Sequence, residues 1–201
     1  MNLQILQTII GSIFTIAIGL VLFYASVEDL RHRTIRSIWV ITLYILVSAS
    51  SIITGSISTQ STFVFLFTFI LFMGIAVFSF GRFGIGDAMV LGALGWFYHD
   101  FASLQHFLFI MGGVCLPWAM FCILYYGRHQ GFLNTIKGFK RHINIEEARP
   151  GMVLASDNFM HGLTQTQIDD MRHAGFVTID VKQPFPFIPV IFIAFMVTMF
   201  I

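Results

Sequence analysis

Charged side chains are scarce in this chain: Asp, Glu, Lys and Arg make up 10% of its 201 residues, whereas hydrophobic residues make up 57%. Soluble domains carry roughly 25% charged residues, so the composition excludes a water-soluble globular protein. It also excludes a disordered chain, which needs the opposite composition. The 11 basic residues are scattered among 10 acidic ones and create no strong basic field, which argues against a nucleic-acid partner. The composition therefore indicates an integral membrane protein whose surroundings are the lipid bilayer.

Cysteine is also rare, and the two that occur, Cys115 and Cys122, lie seven positions apart on one predicted helix. A rise of about 1.5 Å per residue separates their Cα atoms by about 10 Å, which is beyond the reach of a disulfide. The chain contains no CxxC pair, no HExxH motif and no glycine-rich loop followed by Lys. These are the motifs typical of zinc ribbons, zinc proteases and nucleotide sites. We therefore expect no metal and no cofactor.

Long apolar runs dominate the sequence instead. A transmembrane helix needs about 20 mostly apolar residues. A shorter apolar run, residues 87–98, contains Ala88, Gly92 and Gly95, small residues that let helices approach closely and are typical of an interior helix. Counting this run, the sequence predicts six transmembrane helices. The five longer candidates are residues 3–27, 37–54, 62–80, 106–126 and 184–201.

The positions of the basic residues predict the orientation of the chain in the membrane. With six spans, all 11 Lys and Arg residues lie on one face, after the first, third and fifth spans. The positive-inside rule makes that face cytoplasmic and leaves both termini outside. A five-span arrangement would put basic residues on both faces, so we keep the short helix. The basic residues are Arg31, Arg33, Arg36, Arg82, Arg128, Lys137, Lys140, Arg141, Arg149, Arg172 and Lys182.

One sizeable polar segment, residues 127–183, precedes the last span. Thr164 and Gln167 have capping-box spacing at the start of a short helix, and Gly175 is typical of its end. Residues 176–181 alternate as in a strand, and residues 143–145 and 152–154 are weaker strand candidates on either side of a Pro-Gly turn. We therefore predict an all-α membrane protein with six transmembrane helices and a small α+β cytoplasmic lobe, divided as residues 1–126, 127–183 and 184–201.

Three acidic residues lie next to predicted spans, where ionisable groups are costly and are candidates for function. Asp29 closes the first span and Asp87 opens the fourth, so the predicted topology brings both to the cytoplasmic boundary. Two carboxylates held close cannot both ionise cheaply, so one acts as a base towards water while the other donates a proton. Gly84 and Gly86 remove side chains where a substrate backbone could approach. This combination predicts an aspartyl protease, and Glu28 is predicted to be a solvated neighbour.

Each of these features also has a structural interpretation. Asp87 could be the N-cap of an apolar helix, and Asp29 could pair with Arg31 or Arg33 at a helix end. Glycines before a helix commonly make a tight turn. Taken alone, each feature favours the structural interpretation; the coincidence of all of them at one membrane boundary favours catalysis.

The segment Asp29-Leu-Arg-His-Arg-Thr-Ile35, followed later by Gly84-Ile-Gly86-Asp87, resembles the type IV prepilin peptidase family of GxGD membrane aspartyl proteases. The segments GLTQTQIDDMRHAG and QPFPFIP are similar to those of archaeal members, which include preflagellin (prearchaellin) peptidases. The resemblance implies that Asp29 and Asp87 are catalytic. It also implies cleavage of the short basic leader from prepilin-like or prearchaellin precursors at the cytoplasmic face. Bacterial members that N-methylate the product carry an extra region with paired CxxC motifs, so we expect peptidase activity without methylation.

The sequence departs from the family pattern at two places. Ile35-Arg36-Ser37 stands where many members have Ile-Pro-Asn, and Met89 stands where a Lys is common. The second departure removes a cation close to Asp87. Neither changes a predicted catalytic carboxylate.

Three other functions stay open. A presenilin-like or signal-peptide-peptidase-like enzyme would cut inside a transmembrane helix, but those enzymes usually have Tyr or Phe before the first Asp, where this chain has Glu28. A proton-coupled transporter would use both Asp residues as relay groups, although the sequence has no convincing repeat of the kind many transporters show. A non-catalytic assembly subunit would need neither carboxylate.

Overall fold

The computed structural model describes residues 3–32, 35–78, 83–130, 140–148, 150, 152, 154–155, 163–182 and 185–201. The chain forms two compact units. The first, called here the membrane unit, comprises Met1–Trp118 and Pro186–Ile201; the second, called the lobe, comprises Ala119–Phe185. Four of the basic residues used to predict orientation, Arg33, Arg82, Lys137 and Arg149, lie outside the described residues, as does residue 184, where the last span was predicted to begin.

Apolar helices make up the membrane unit. Among the described residues, four helices are long and apolar enough to cross a bilayer, which confirms the prediction of a membrane protein. They cover Ile5–Arg31, Ser37–Thr54, Thr59–Phe78 and Phe101–Tyr125. Two further apolar helices have 13 residues each, about 20 Å of helix against a hydrocarbon core of about 30 Å. That these two also span the bilayer stays a prediction. In chain order the helices are α1 (Leu3–His32), α2 (Ser37–Thr54), α3 (Thr59–Phe78), α4 (Ile85–Phe97), α5 (Phe101–Gln130), α6 (Gln165–His173) and α7 (Ile188–Phe200).

Helix α4 is the interior helix that its small residues predict. A Cβ atom added to Gly95 would lie 2.6 Å from the Thr68 Cβ, and one added to Gly92 would lie 2.8 Å from a ring carbon of Phe69. Both neighbours belong to α3, so the two glycines let α3 and α4 approach closely. Ala88 is fully buried on the same helix. The helix begins at Ile85, two residues earlier than the sequence predicts.

Helix α1 packs against both α2 and α7. Ile18 and Leu22 are buried along α1, and Gly19 lies where an added Cβ would be 3.6 Å from the ring of Phe195 on α7. The last helix, which is distant in sequence, therefore packs beside the first. This packing brings the start of α7 close to the end of α1.

The lobe contains the predicted helix and an antiparallel pair of strands, β1 (Lys140–Asn144) and β2 (Thr178–Lys182). Thr164 caps α6 and forms the predicted capping box with Gln167, and Gly175 ends the helix with a φ of 82°. Of the weaker strand segment at 152–154, Leu154 forms an isolated bridge to Val181. The small α+β lobe is thus confirmed. Its core consists of Ile143, Ile145, Ala148, Leu163, Ile168, Ile179 and Val181.

Candidate active site at two buried carboxylates

Asp29 lies in the last turn of α1 and caps the first turn of α7. Its side chain is buried, and Oδ2 accepts a hydrogen bond of 3.1 Å from the backbone N–H of Ile188. The first N–H groups of a helix have no partner within the helix, and Phe187 at the N-cap of α7 makes no side-chain cap. The Asp29 carboxylate supplies the missing acceptor at the positive end of the helix dipole. The predicted pairing with Arg31 or Arg33 is therefore not needed to explain its burial, and Arg33 lies outside the described residues.

Asp87 lies in the first turn of α4 and is also buried. The structural interpretation of Asp87 as the N-cap is wrong, because Gly84 occupies the N-cap and Asp87 is the third helical residue. Its Oδ2 instead accepts a hydrogen bond of 3.2 Å from the backbone N–H of Gly84. Asp87 therefore has one hydrogen bond that serves the helix terminus, and its other carboxylate oxygen is not used by that contact.

The two carboxylates lie close enough to interact electrostatically, although 58 positions separate them in the sequence. The end of α1 and the starts of α4 and α7 thus meet at one end of the membrane unit. For two buried carboxylates within electrostatic range, burial and mutual repulsion both oppose the ionisation of both groups at once, which favours a state with one of them protonated. A pair in that state can take a proton from one group and give a proton to another, which is general acid and base chemistry.

The two glycines of the Gly84-Ile-Gly86-Asp87 segment contact residues of the chain itself. A Cβ on Gly84 would lie 3.0 Å from Oδ2 of Asp87, so the missing side chain leaves space for the carboxylate. A Cβ on Gly86 would lie 3.3 Å from Cδ1 of Ile35. Both glycines therefore have a packing role in this structure, and the approach of a substrate backbone at these positions stays a prediction.

Aromatic residues hold the segment before α7, and sequence reasoning missed them. The ring of Phe83 contacts that of Phe187 edge to face at 5.2 Å and that of Phe72 at 6.1 Å. Trp118 Nε1 donates a hydrogen bond of 3.0 Å to the carbonyl oxygen of Pro186. These contacts position the backbone that presents the Ile188 N–H to Asp29. The one available sequence signal was the position of Phe83 directly before the first glycine.

Glu28 is not the solvated residue that the sequence predicts. Its side chain is only 12% exposed, and Oε1 lies 2.6 Å from Nε of Arg36. Oε2 accepts a hydrogen bond from Nε1 of Trp39. Glu28 therefore joins the end of α1 to the start of α2 while its neighbour Asp29 joins α1 to α7. Sequence spacing could not pair positions 28 and 39, because the pairing depends on the path of the chain between the helices.

A cleft of about 540 Å³ lies at the other end of α4, away from the carboxylates. Asp100 directly precedes α5 there and accepts hydrogen bonds from the backbone N–H and the hydroxyl of Ser103, at 2.9 and 2.8 Å. These bonds hold the pKa of Asp100 below its usual value, and burial lowers the pKa of His99. Across the described parts of the chain, no group of three His, Cys, Asp or Glu side chains could hold a metal ion.

No protein-family model, curated protein or solved structure matches this chain. The fold and the site define the class of protein by themselves. It is a membrane protein with several long apolar helices and a pair of buried, interacting aspartates where three helix ends meet.

Proposed function

We propose that this protein is a membrane aspartyl endopeptidase that removes the short basic leader of type IV prepilin-like or prearchaellin precursors at the cytoplasmic membrane face. The observation that carries the proposal is that Asp29 and Asp87, two buried carboxylates from distant parts of the chain, lie within electrostatic range of each other. Buried ionisable groups within a membrane protein are costly and are retained mainly for function. The substrate class rests on the resemblance of the segments around these residues to the prepilin peptidase family.

The dyad hydrolyses the peptide bond by general acid and base catalysis. One carboxylate takes a proton from water as the water oxygen attacks the scissile carbonyl carbon, and the protonated partner donates to the carbonyl oxygen. The C–N bond then breaks as the leaving amine takes the proton that the first carboxylate accepted from water, and the partner carboxylate takes back a proton from the hydroxyl of the intermediate as the new carboxyl group forms. Each Asp accepts a backbone hydrogen bond at a helix N-terminus, from Ile188 and Gly84 respectively, so both side chains are held in position before substrate binds.

The proposal includes six transmembrane helices, with α4 and α7 crossing the bilayer among the longer helices. The interior position of α4 supports this, because a short helix surrounded by protein needs less contact with lipid. Arg31 and Arg36 lie at the same end of α1 and α2 as Asp29. By the positive-inside rule this end is cytoplasmic, with both termini outside and the lobe in the cytoplasm.

The test is cleavage of a co-expressed prepilin-like or prearchaellin precursor by Asp29→Asn and Asp87→Asn variants. Asn keeps a carbonyl oxygen for the hydrogen bond from Ile188 or Gly84 but cannot act as a base, so each variant inserts and folds but leaves the leader attached. Asp100→Asn, which changes an aspartate at the other end of α4, is the matched control and processes normally. Full processing by either dyad variant would overturn the proposal.

The cut site separates leader removal from cleavage inside a transmembrane helix. Mass spectrometry of the product gives the new N-terminus. A terminus directly before the apolar helix of the precursor supports a leader peptidase, whereas a terminus within that helix supports a presenilin-like enzyme. Ion or solute flux in proteoliposomes that is lost in both Asn variants, without proteolysis by the wild type, would support a proton-coupled transporter instead.

A further inference from the structure

We propose that Glu28 is a positioning residue for the dyad: together with Trp39 and Arg36, it fixes the last turn of α1 and so the direction of the Asp29 carboxylate. The inference rests on the proposed peptidase function. Glu28 itself takes no part in the chemistry, since both its oxygens already have partners on α2 or next to it.

Both residues that hold Glu28 lie at the start of α2. Trp39 Nε1 donates to Oε2, and Nε of Arg36 lies 2.6 Å from Oε1. One turn earlier on α1, the ring of Tyr24 stacks on the same indole, with 5.9 Å between centroids and 8° between planes. Trp39 therefore contacts two successive turns of α1, once through a hydrogen bond and once through a stacked ring.

Neighbouring positions on an α-helix point about 100° apart, because the helix has 3.6 residues per turn. Glu28 faces α2 and Asp29 faces the start of α7, where its carboxylate meets the Ile188 N–H. Fixing Glu28 against Trp39 therefore sets the rotation of the last turn of α1 about the helix axis. That rotation decides where the next side chain, Asp29, points.

Helix ends fray because their last carbonyl groups have no partner within the helix, and α1 ends at His32, three residues after Asp29. A catalytic carboxylate in a fraying turn would be held loosely. A misplacement of about 1 Å can cost about a hundredfold in rate. The contacts of Glu28 act on the turn that carries Asp29, so their loss lowers the rate of the chemical step more than it weakens substrate binding.

Trp39→Phe is the sharpest test, because it keeps an aromatic ring next to Tyr24 and removes the indole N–H that donates a hydrogen bond to Glu28. Trp96→Phe is the matched control: Trp96 Nε1 is buried, and within the part of the chain that the structure describes it has no hydrogen-bond partner. We expect Trp39→Phe to lower kcat by about tenfold with KM within about twofold of wild type. We expect Trp96→Phe to keep the wild-type kcat.

Glu28→Gln and Arg36→Gln complete the test as single and double variants. Gln keeps an acceptor for Trp39 but loses the charge that faces Arg36, so Glu28→Gln is less impaired than Glu28→Ala. The double variant is no worse than Glu28→Gln alone, because both changes remove the same ion pair. In Glu28→Ala, the apparent pKa on the acid side of the pH–rate profile also shifts. A general loss of stability would not produce that shift.

The outcomes separate this inference from the proposed function. If the wild type cleaves no leader, the proposed function fails. If the wild type cleaves while Trp39→Phe and Glu28→Ala keep full kcat, only the positioning role is overturned. It is also overturned if the loss of kcat in Trp39→Phe follows a lowered melting temperature in the detergent-solubilised protein and disappears on cooling.

Discussion

Replacing Gly95 with Ala tests the close packing of α4 on α3, which places the helix that carries Asp87. The new Cβ would lie 2.6 Å from Cβ and Oγ1 of Thr68 and 2.9 Å from its Cγ2. Cβ is attached directly to the backbone, so Thr68 cannot relieve the contact by changing rotamer. The two helices must separate by about 1 Å to reach the ordinary contact distance of 3.4 Å or more.

The expected cost follows from two opposing effects. Overpacking a well-packed interface costs about 1–3 kcal/mol, and a contact with a rigid atom belongs at the upper end of that range. Ala is favoured over Gly in a helix interior by about 1 kcal/mol, which offsets part of the cost. We expect the free energy of unfolding to fall by about 2 kcal/mol, which for a chain of this size lowers Tm by about 4–8 °C.

Gly74→Ala on α3 is the matched control, because an added Cβ there has no atom within 4 Å. It gains the same helix propensity without the contact, so the difference between the two variants isolates the packing cost. Thermal unfolding of both variants in one detergent measures it. In the Gly95→Ala background, Thr68→Ala restores only part of the lost thermal stability, because residue 68 keeps its Cβ. Thr68→Gly restores more. Equal melting temperatures for Gly95→Ala and Gly74→Ala would refute the reasoning.

Three further changes test other parts of the molecule. Gly84→Ala places a Cβ 3.0 Å from Oδ2 of Asp87 and displaces the carboxylate, so we expect leader cleavage to fall by about tenfold or more. Gly86→Ala is milder, because its Cβ meets the flexible end of the Ile35 side chain. Cleavage assays compare the two variants. Thr164→Ala removes the capping box of α6, which destabilises the helix by about 1 kcal/mol. The rate of amide hydrogen exchange in that helix should therefore rise about fivefold relative to Thr164→Ser. An unchanged exchange rate would contradict the capping role. Folding lowers the pKa of Asp100, so the stabilising contribution of this carboxylate is present above the ordinary Asp pKa and is lost as the pH falls through the lowered value. The Tm difference between the wild type and Asp100→Ala should therefore shrink on acidification. A Tm difference that stays constant with pH would contradict this reasoning.

The sequence by itself determined those features that depend on local composition and spacing. Of the six apolar runs predicted to span the membrane, four correspond to described helices that are long and apolar enough to do so, because a long apolar helix is stable in a bilayer whatever its neighbours are. Thr164, Gln167 and Gly175 predicted both ends of α6, because capping uses atoms within one turn of the helix. Strand alternation located β2 to within two residues at its start.

The sequence predicted which two residues form the candidate site, but it did not predict which hydrogen-bond partners hold them. Topology placed Asp29 and Asp87 at the same boundary, and the structure brings them within electrostatic range of each other. Their catalytic role stays a prediction. The sequence could not show that Asp29 caps α7, because the two partners are 159 positions apart. It also could not show that Asp87 bonds back to Gly84, since that depends on where α4 begins.

Tertiary structure alone decided which neighbours the acidic residues have. Glu28 and Asp29 are adjacent in sequence, yet one faces Trp39 on α2 and the other faces Ile188 on α7. The rotation of α1 and the packing of helices on two of its sides separate them, and neither can be read from local spacing. A scarcity of charge identifies which carboxylates matter, whereas the packing of helices from distant parts of the chain determines what each carboxylate can do.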